Sequence, residues 1–197
     1  MPRNATVVRQ THETKIHIDL DVDGTGQADL QTGIGFFDHM LHLLARHAAF
    51  DLKVRADGDL HVDGHHTVED VGIALGQALV QALGDKAGLR RYGHCTLPMD
   101  ETLVTVAIDL GGRPFFNWRA NIPPMMLGTF ASELAEEFWR SVAMNGSMNL
   151  HIIELEGRNT HHKIEAIFKS AARALRQACE IDFRTSGIPS TKGTLRS

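Results

Sequence analysis

The chain has 197 residues, which is enough to bury a hydrophobic core as one domain or as two small fused halves. Its composition, 43% hydrophobic and 22% charged, excludes a disordered, collagenous or coiled-coil protein. The 20 Lys and Arg residues against 24 Asp and Glu give a formal net charge of -4, which excludes an overall basic surface for nucleic acid or an anionic membrane.

Hydrophobic periodicity predicts four elements in the first half of the chain. Residues 15–22 alternate polar and apolar side chains, which is typical of a half-buried strand. Apolar residues at helical spacing predict a helix over 36–50, and a strand-like alternation follows over 51–55. A second helix is predicted over 65–83, and the glycine-containing segment 84–88 ends it.

The second half repeats this order of elements. Strands are predicted over 102–110 and 115–118, and a helix over 129–145 follows them. A further strand is predicted over 149–155, and a long helix over 161–179 closes the pattern.

A histidine motif supports an internal duplication. His65-His66-x-x-Glu69 recurs as His161-His162-x-x-Glu165, and each copy opens the second helix of its half. We infer that the chain is an α+β protein made of two similar halves, residues 1–92 and 93–197, which form one compact catalytic unit.

The two motifs are candidate metal half-sites. Within each copy the histidines lie four and three residues before the glutamate, so all three side chains reach one side of a helix. A single copy could also be a polar start of a helix, with its glutamate near the positive end of the helix dipole. The presence of the motif in both halves favours a metal site. The first helix of each half adds one candidate, His39 in the first half and Glu137 at the aligned position of the second. The complete candidate set is His39, His65, His66, Glu69, Glu137, His161, His162 and Glu165.

The donor types bear on which metal would bind. The set offers imidazole and carboxylate groups and no thiolate, which favours Mn²⁺ with open coordination positions over a structural zinc. Zinc, cobalt and iron remain alternatives, because the general affinity order does not favour Mn²⁺.

A second group of residues is suited to an anion. It comprises Arg91, Arg113, Lys169 and the tail segment 189–194, in which Ser190 and Lys192 precede a glycine. A hydroxyl, an ammonium group and glycine-adjacent N–H groups together suit a phosphate. A solvated C-terminal extension is the alternative for this tail.

Five ordered motifs carry a resemblance to a known family. They are residues 35–41, 63–70, 91–93 with 98–101, 157–166, and 189–193. In this order and over essentially the whole chain, they resemble the imidazoleglycerol-phosphate dehydratases of histidine biosynthesis. The resemblance implies two similar halves, each a four-stranded sheet packed with two helices, and two Mn²⁺ ions per active site. It also implies a large homo-oligomer of cubic symmetry, a 24-mer, whose sites lie between subunits.

The resemblance also assigns residues. The family's metal ligands fall on the eight candidates above, and its phosphate contacts fall on Arg91, Arg113, Lys169, Ser190 and Lys192. Glu13 and His47 match catalytic positions near the diol and ring of the substrate, and we expect Glu13 to be the acid–base group. Two positions depart from the family: Leu43 stands where many members have Gln, and Glu137 where some have His.

The reaction that the resemblance implies converts imidazole glycerol phosphate to imidazole acetol phosphate and water. Because no carbonyl adjoins the reacting carbons, the imidazole ring is the available electron sink. We expect two metal ions on the ring nitrogens to hold it as an imidazolate that can expel hydroxide. Proton removal from the side chain then gives an enol, which tautomerises to the ketone.

Two other functions fit the same residues. One is a phosphoester hydrolase that uses two metals to activate water, and the other is a metal-binding or storage protein. Two-metal hydrolases usually rely on bridging aspartates, whereas the candidate set contains histidines and glutamates only. We therefore rank the hydrolase second and the storage protein third.

The remaining features concern location and partners. Cys95 and Cys179 form no C-x-x-C motif, which is typical of a reducing compartment. The first ten residues lack the pattern of a signal peptide, and no apolar run approaches the roughly 18 residues of a membrane span. We expect a cytoplasmic protein that binds a phosphorylated imidazole and contacts neither nucleic acid nor membrane.

Overall fold

The computed structural model describes residues 2–195, and it places six elements in the first half. They are β1 (Asn4–Gln10), β2 (Thr14–Asp21), β3 (Ala28–Gln31), α1 (Gly35–Ala48), β4 (Asp51–Gly58) and α2 (His65–Leu83). The second half has the same succession with one added hairpin. Its elements are β5 (Tyr92–Met99), β6 (Thr102–Asp109), β7 (Phe115–Arg119), β8 (Met126–Leu127), β9 (Phe130–Ala131), α3 (Leu134–Asn145), β10 (Asn149–Glu156) and α4 (Thr160–Cys179).

The two four-stranded sheets have the same topology. Their strand orders are β1-β2-β4-β3 and β5-β6-β10-β7, and in each sheet the last pair is parallel while the others are antiparallel. The registers also agree. Leu52 of β4 pairs with Leu20 and Ala28, and Leu150 of β10 pairs with Ile108 and Phe116 at the equivalent positions. The predicted α+β fold of two similar halves is therefore confirmed.

The structure corrects the start of one predicted helix. The helix predicted from residue 129 begins at Leu134, because Phe130 and Ala131 pair with β8 instead. Gly128 has a φ of 62°, which lets the chain turn between these two short strands.

Periodicity did not predict three strands of the two four-stranded sheets, namely β1, β3 and β5. In β1 the buried residue is Val7 alone, and the edge strand β3 contains no buried residue. The strand β5 likewise has one buried residue, Gly93. Strands with so little apolar surface facing the core carry a weak alternation signal.

The helices lie between the sheets and join the two halves. Helices α2 and α4 pack on the sheets of their own halves, while α1 contacts α4 and α2 contacts α3. The Phe138 ring of α3 contacts Phe37 of α1 at 5.2 Å and Phe168 of α4 at 5.3 Å between centroids. Both halves consequently share one hydrophobic core. Within residues 2–195, no helix is both long and apolar enough to cross a membrane.

Glycines allow the close contact between α2 and α3. A Cβ atom on Gly76 would lie 2.7 Å from the backbone nitrogen of Gly146 and 2.8 Å from the carbonyl oxygen of Val142. A Cβ atom on Gly72 would meet Phe138 and Ser141 at similarly short distances, 2.8 and 2.9 Å. The two helices therefore approach through backbone surface that an alanine would not permit.

Candidate active site

Three of the predicted metal ligands converge where α1 of the first half meets α4 of the second. His39 Nε2 lies 3.3 Å from Glu165 Oε2, and His161 Nε2 lies 3.1 Å from the same oxygen. His161 and Glu165 are one helical turn apart on α4, so their side chains share a face. Ligand atoms of all three residues lie within 4.8 Å of one another. The cluster thus combines residues from both halves of the chain.

Glu165 is also paired with Lys169. Lys169 Nζ lies 2.6 Å from Glu165 Oε1, and the Glu165 side chain is 10% exposed. Burial by itself would raise the pKa of Glu165, but hydrogen bonds from Lys169 and His161 outweigh it, so the pKa is lowered. The carboxylate is therefore ionised at neutral pH, as a metal ligand must be. Lys169, predicted to contact phosphate, lies against this cluster.

Carboxylates contact the second histidine of each motif. His66 Nδ1 lies 2.9 Å from Asp59 Oδ2, and His162 Nδ1 lies 2.8 Å from Glu101 Oε2. These hydrogen bonds raise the pKa of both histidines, and the bond from His162 holds the pKa of Glu101 well below its usual range. Neither Asp59 nor Glu101 belongs to the residues for which a role was predicted from the sequence. Glu101 occupies the same position in its β-hairpin turn as Glu13 does in the first half. An alignment of the two turns would have pointed to Glu101.

Glu13, the predicted acid–base group, lies in the turn between β1 and β2. Its Oε1 atom is 3.8 Å from His66 Nε2, and its side chain is 55% exposed. Among residues 2–195 the Glu13 carboxylate accepts no hydrogen bond. It is accordingly placed beside the first histidine motif with its oxygen atoms available.

The other predicted ligands pair along their own helices. His65 Nε2 and Glu69 Oε2 are 4.0 Å apart on α2. Glu137 on α3 faces Arg140, with 3.8 Å between Oε2 and Nε. Within the described part of the chain, neither the His65–Glu69 pair nor Glu137 belongs to a group of three or more ligand-type side chains.

Four of the five predicted phosphate residues line one cavity of about 640 Å³. They are Arg91, Arg113, Ser190 and Lys192, and none of the predicted metal ligands is among the lining residues. The Arg91 guanidinium donates two hydrogen bonds to Asp109, at 2.7 and 3.0 Å, and one to the Pro189 carbonyl, at 2.8 Å. Arg91 therefore ties the C-terminal segment to the sheet. Lys169 does not line this cavity.

His47 and Leu43 lie on α1. His47 is half-buried, and burial together with the cations Lys169, Arg173 and Arg46 lowers its pKa. Its imidazole is therefore neutral at neutral pH. Leu43 packs against the hydrophobic core, so the position that carries Gln in many family members offers no side-chain hydrogen bond in this chain.

Comparison with known proteins gives consistent matches. The model of the imidazoleglycerol-phosphate dehydratase family matches residues 32–175. Imidazoleglycerol-phosphate dehydratases of Dinoroseobacter shibae and Rhodopirellula baltica are 57% and 56% identical, each over 98% of this chain and over 100% and 96% of their own lengths.

Solved structures agree with the sequence matches. The dehydratase crystal structure from Staphylococcus aureus has a TM-score of 0.83 and 39% identity, and it covers 91% of this chain and 99% of its own. The Pyrococcus furiosus enzyme, in complex with (S)-C348, has a TM-score of 0.82 and 35% identity, with 95% and 99% coverage.

Proposed function

Because the chain belongs to the imidazoleglycerol-phosphate dehydratase family and is a lyase of histidine biosynthesis, we propose that it dehydrates its substrate with two divalent cations per site. The family favours this function over the phosphoester hydrolase and the storage protein that the sequence left open. The proposal extends to Mn²⁺ as the resident ion, to the ligand set and to the assembly.

The observation that carries the metal proposal is the convergence of His39, His161 and Glu165. Two imidazole nitrogens and one ionised carboxylate are a donor set that Mn²⁺ accepts, and their ligand atoms lie within 4.8 Å of one another. We assign one ion to this cluster and the second to the motif at His65 and Glu69. When bound, divalent ions would supply the Lewis acidity that lowers the pKa of an imidazole N–H and so stabilises the ring as an anion able to expel hydroxide.

The chain's own residues would do the remaining work. The cavity lined by Arg91, Arg113, Ser190 and Lys192 would bind the phosphate group, because it presents cationic N–H groups and a hydroxyl to an anion. Glu13 would take the proton from the side chain of the substrate, since among residues 2–195 its carboxylate accepts no hydrogen bond. Overall, the carbon–oxygen bond beside the ring breaks, water leaves, and the resulting enol becomes the ketone.

His47 would act as a neutral hydrogen-bonding group. Its lowered pKa keeps the imidazole uncharged beside Lys169, so it can donate to and accept from the hydroxyls of a diol. An uncharged ring also avoids repulsion with the bound cations.

We further propose a large homo-oligomer in which neighbouring subunits complete each site. The residues that line the phosphate cavity and those of the cluster at Glu165 do not overlap, and an interface would allow a neighbouring chain to bring its cavity to this cluster. Several apolar side chains are also exposed, among them Val62 (62%), Met126 (58%) and Phe183 (97%). Exposed apolar surface of this kind is typical of protein interfaces.

The experiment that tests the proposed function compares chelator-treated and Mn²⁺-reloaded protein. Each sample is incubated with imidazole glycerol phosphate, and formation of imidazole acetol phosphate is followed. We expect product from the reloaded protein only, and little from a reloaded His161→Ala variant. Equal turnover by the chelated protein would contradict the metal requirement, whereas no product from any sample would contradict the dehydratase activity itself.

A further inference from the structure

The second histidines of the two motifs, His66 in α2 and His162 in α4, have the same surroundings at Nδ1. Each Nδ1 atom lies within 3 Å of a carboxylate oxygen, at 2.9 Å from Asp59 and 2.8 Å from Glu101. A carboxylate only accepts hydrogen bonds, so the proton of the neutral imidazole stays on Nδ1 and the lone pair lies on Nε2. Both rings thereby offer Nε2, the atom that His39 and His161 also turn toward Glu165.

The two carboxylates come from different places in the duplicated fold. Glu101 lies in the turn between β5 and β6, whereas Asp59 directly follows β4. The first-half equivalent of Glu101 is Glu13, because each of these glutamates immediately precedes the second strand of its sheet. Glu13 makes no hydrogen bond to His66 Nδ1, since Asp59 already occupies that atom.

We propose that Asp59 and Glu101 are positioning residues that hold His66 and His162 in the tautomer able to ligate a metal through Nε2. We further propose that Asp59 takes over in the first half the role that Glu101 has in the second, and so leaves Glu13 free for proton transfer. The inference rests on the proposed metal dependence and deepens it, because it names groups outside the ligand set that control metal affinity.

The substitution Glu101→Gln tests this role without removing the side chain. Glu101 Oε1 accepts hydrogen bonds from the backbone N–H groups of Arg158 and Asn159, at 3.2 and 2.7 Å. A glutamine carbonyl would keep these two bonds, which forces its amide nitrogen toward His162. The amide would then donate to Nδ1, so the imidazole proton would move to Nε2 and block it as a ligand.

The measured quantity is Mn²⁺ affinity, followed by the electron paramagnetic resonance signal of the free ion during titration. For Glu101→Gln we expect binding at the affected site to weaken about 10- to 100-fold, the range found for outer-shell partners of metal ligands. Asp100→Asn is the matched control, because it removes one negative charge 3.8 Å from His162 Nε2 and leaves Nδ1 untouched. We expect less than about a threefold change for this control.

Asp59 provides a contrasting test, because its second oxygen is not anchored. Asp59 Oδ1 is buried and has no hydrogen-bond partner among residues 2–195. An asparagine can therefore turn its carbonyl toward His66 and keep the tautomer. We expect Asp59→Asn to stay within about threefold of wild-type affinity, and Asp59→Ala to lose about tenfold or more.

A spectroscopic readout reports the tautomer without any metal. Solid-state ¹⁵N spectra of histidine-labelled, metal-free protein at pH 8 should show one ring changing from Nδ1–H to Nε2–H in Glu101→Gln. If the wild type binds Mn²⁺ and Glu101→Gln shows the same affinity and the same tautomer, the positioning role is overturned, while the proposed metal dependence stands. Absence of Mn²⁺ binding by the wild type would instead overturn the proposed metal dependence.

Discussion

The residues of the two histidine motifs differ in what surrounds their ring nitrogens. His161 Nε2 lies 3.1 Å from Glu165 Oε2, whereas His65 Nε2 lies 4.0 Å from Glu69 Oε2. The carboxylates of the two β-hairpin turns differ as well. Glu101 accepts hydrogen bonds from His162 and two backbone N–H groups, but Glu13 accepts none among the described residues. The duplicated halves therefore contribute unequal chemistry to the site.

At the residue scale, Glu13→Gln should abolish turnover and leave metal content unchanged. The amide cannot act as a base, and we expect kcat to fall by about 10²- to 10⁴-fold, the usual contribution of a general acid–base group. Steady-state kinetics and elemental analysis of the purified variant measure the two effects. Loss of bound metal would place Glu13 in the ligand shell instead.

The phosphate cavity leads to a second residue-scale prediction. Arg113→Ala should raise KM by roughly 10- to 100-fold with kcat little changed, because a phosphate contact is present in both the ground and the transition state. Arg119→Ala is a matched control, since Arg119 is an exposed arginine at the end of β7 and does not line the cavity. An unchanged KM for Arg113→Ala would remove this residue from the phosphate site.

Arg91→Ala should raise KM in the same way and also loosen the C-terminal segment. The Arg91 side chain bonds both Asp109 and the Pro189 carbonyl. Its removal therefore breaks a contact that holds the segment containing Ser190 and Lys192. Both variants should raise KM, but only Arg91→Ala should make the C-terminal segment more susceptible to limited proteolysis. A tail that stays as protected as in the wild type would show that other contacts hold it.

At the scale of elements, the site depends on helices that meet across the two halves. Helix α1 supplies His39 and α4 supplies His161 and Glu165, while α2 contacts α3 through Gly72 and Gly76. Any displacement of one helix pair alters the distance between groups that belong to different halves. Packing of the helices and geometry of the candidate metal site are consequently coupled.

Gly76→Ala should destabilise this arrangement. Its Cβ atom would lie 2.7–2.9 Å from three backbone atoms of α3 and its C-terminal turn, and we expect a loss of about 1–3 kcal/mol in the free energy of unfolding. Urea denaturation measures the change. Gly35→Ala is the control, because a Cβ atom there meets nothing within 4 Å. Equal stability of the two variants would show that α2 and α3 can separate without cost.

At the scale of the whole molecule, the two halves share one hydrophobic core. Phe37, Phe138 and Phe168 come from both halves and pack in one cluster. None of the proposed metal ligands lines the cavity proposed for phosphate. The proposed assembly would let a neighbouring chain bring its phosphate cavity to the metal ligands.

Metal removal should therefore loosen the assembly. If ions are held between chains, their binding energy contributes to association, and chelation removes it. Light scattering of metal-free and Mn²⁺-loaded protein at equal concentration should show a smaller particle without metal. An unchanged size would mean that protein contacts suffice for assembly.

The duplication, most elements and the correspondence of the two histidine motifs could be predicted from the amino-acid sequence, because these features are periodic or local. Repetition of His-His-x-x-Glu and the matching order of strands and helices were visible without coordinates, and the sheets confirm them. The two His-His-x-x-Glu motifs have the same spacing, so their side chains lie on equivalent faces of two helices. Equivalent residues of the two halves could therefore be identified from the sequence.

Which of these residues contact one another depends on how the helices pack. His39 and Glu165 are 126 positions apart, and their contact depends on how α1 packs on α4. The roles of Asp59 and Glu101, the pairing of Lys169 with Glu165 and the start of α3 at Leu134 likewise follow from packing and hydrogen bonds. Such contacts depend on distances through space, which no local pattern in the chain encodes.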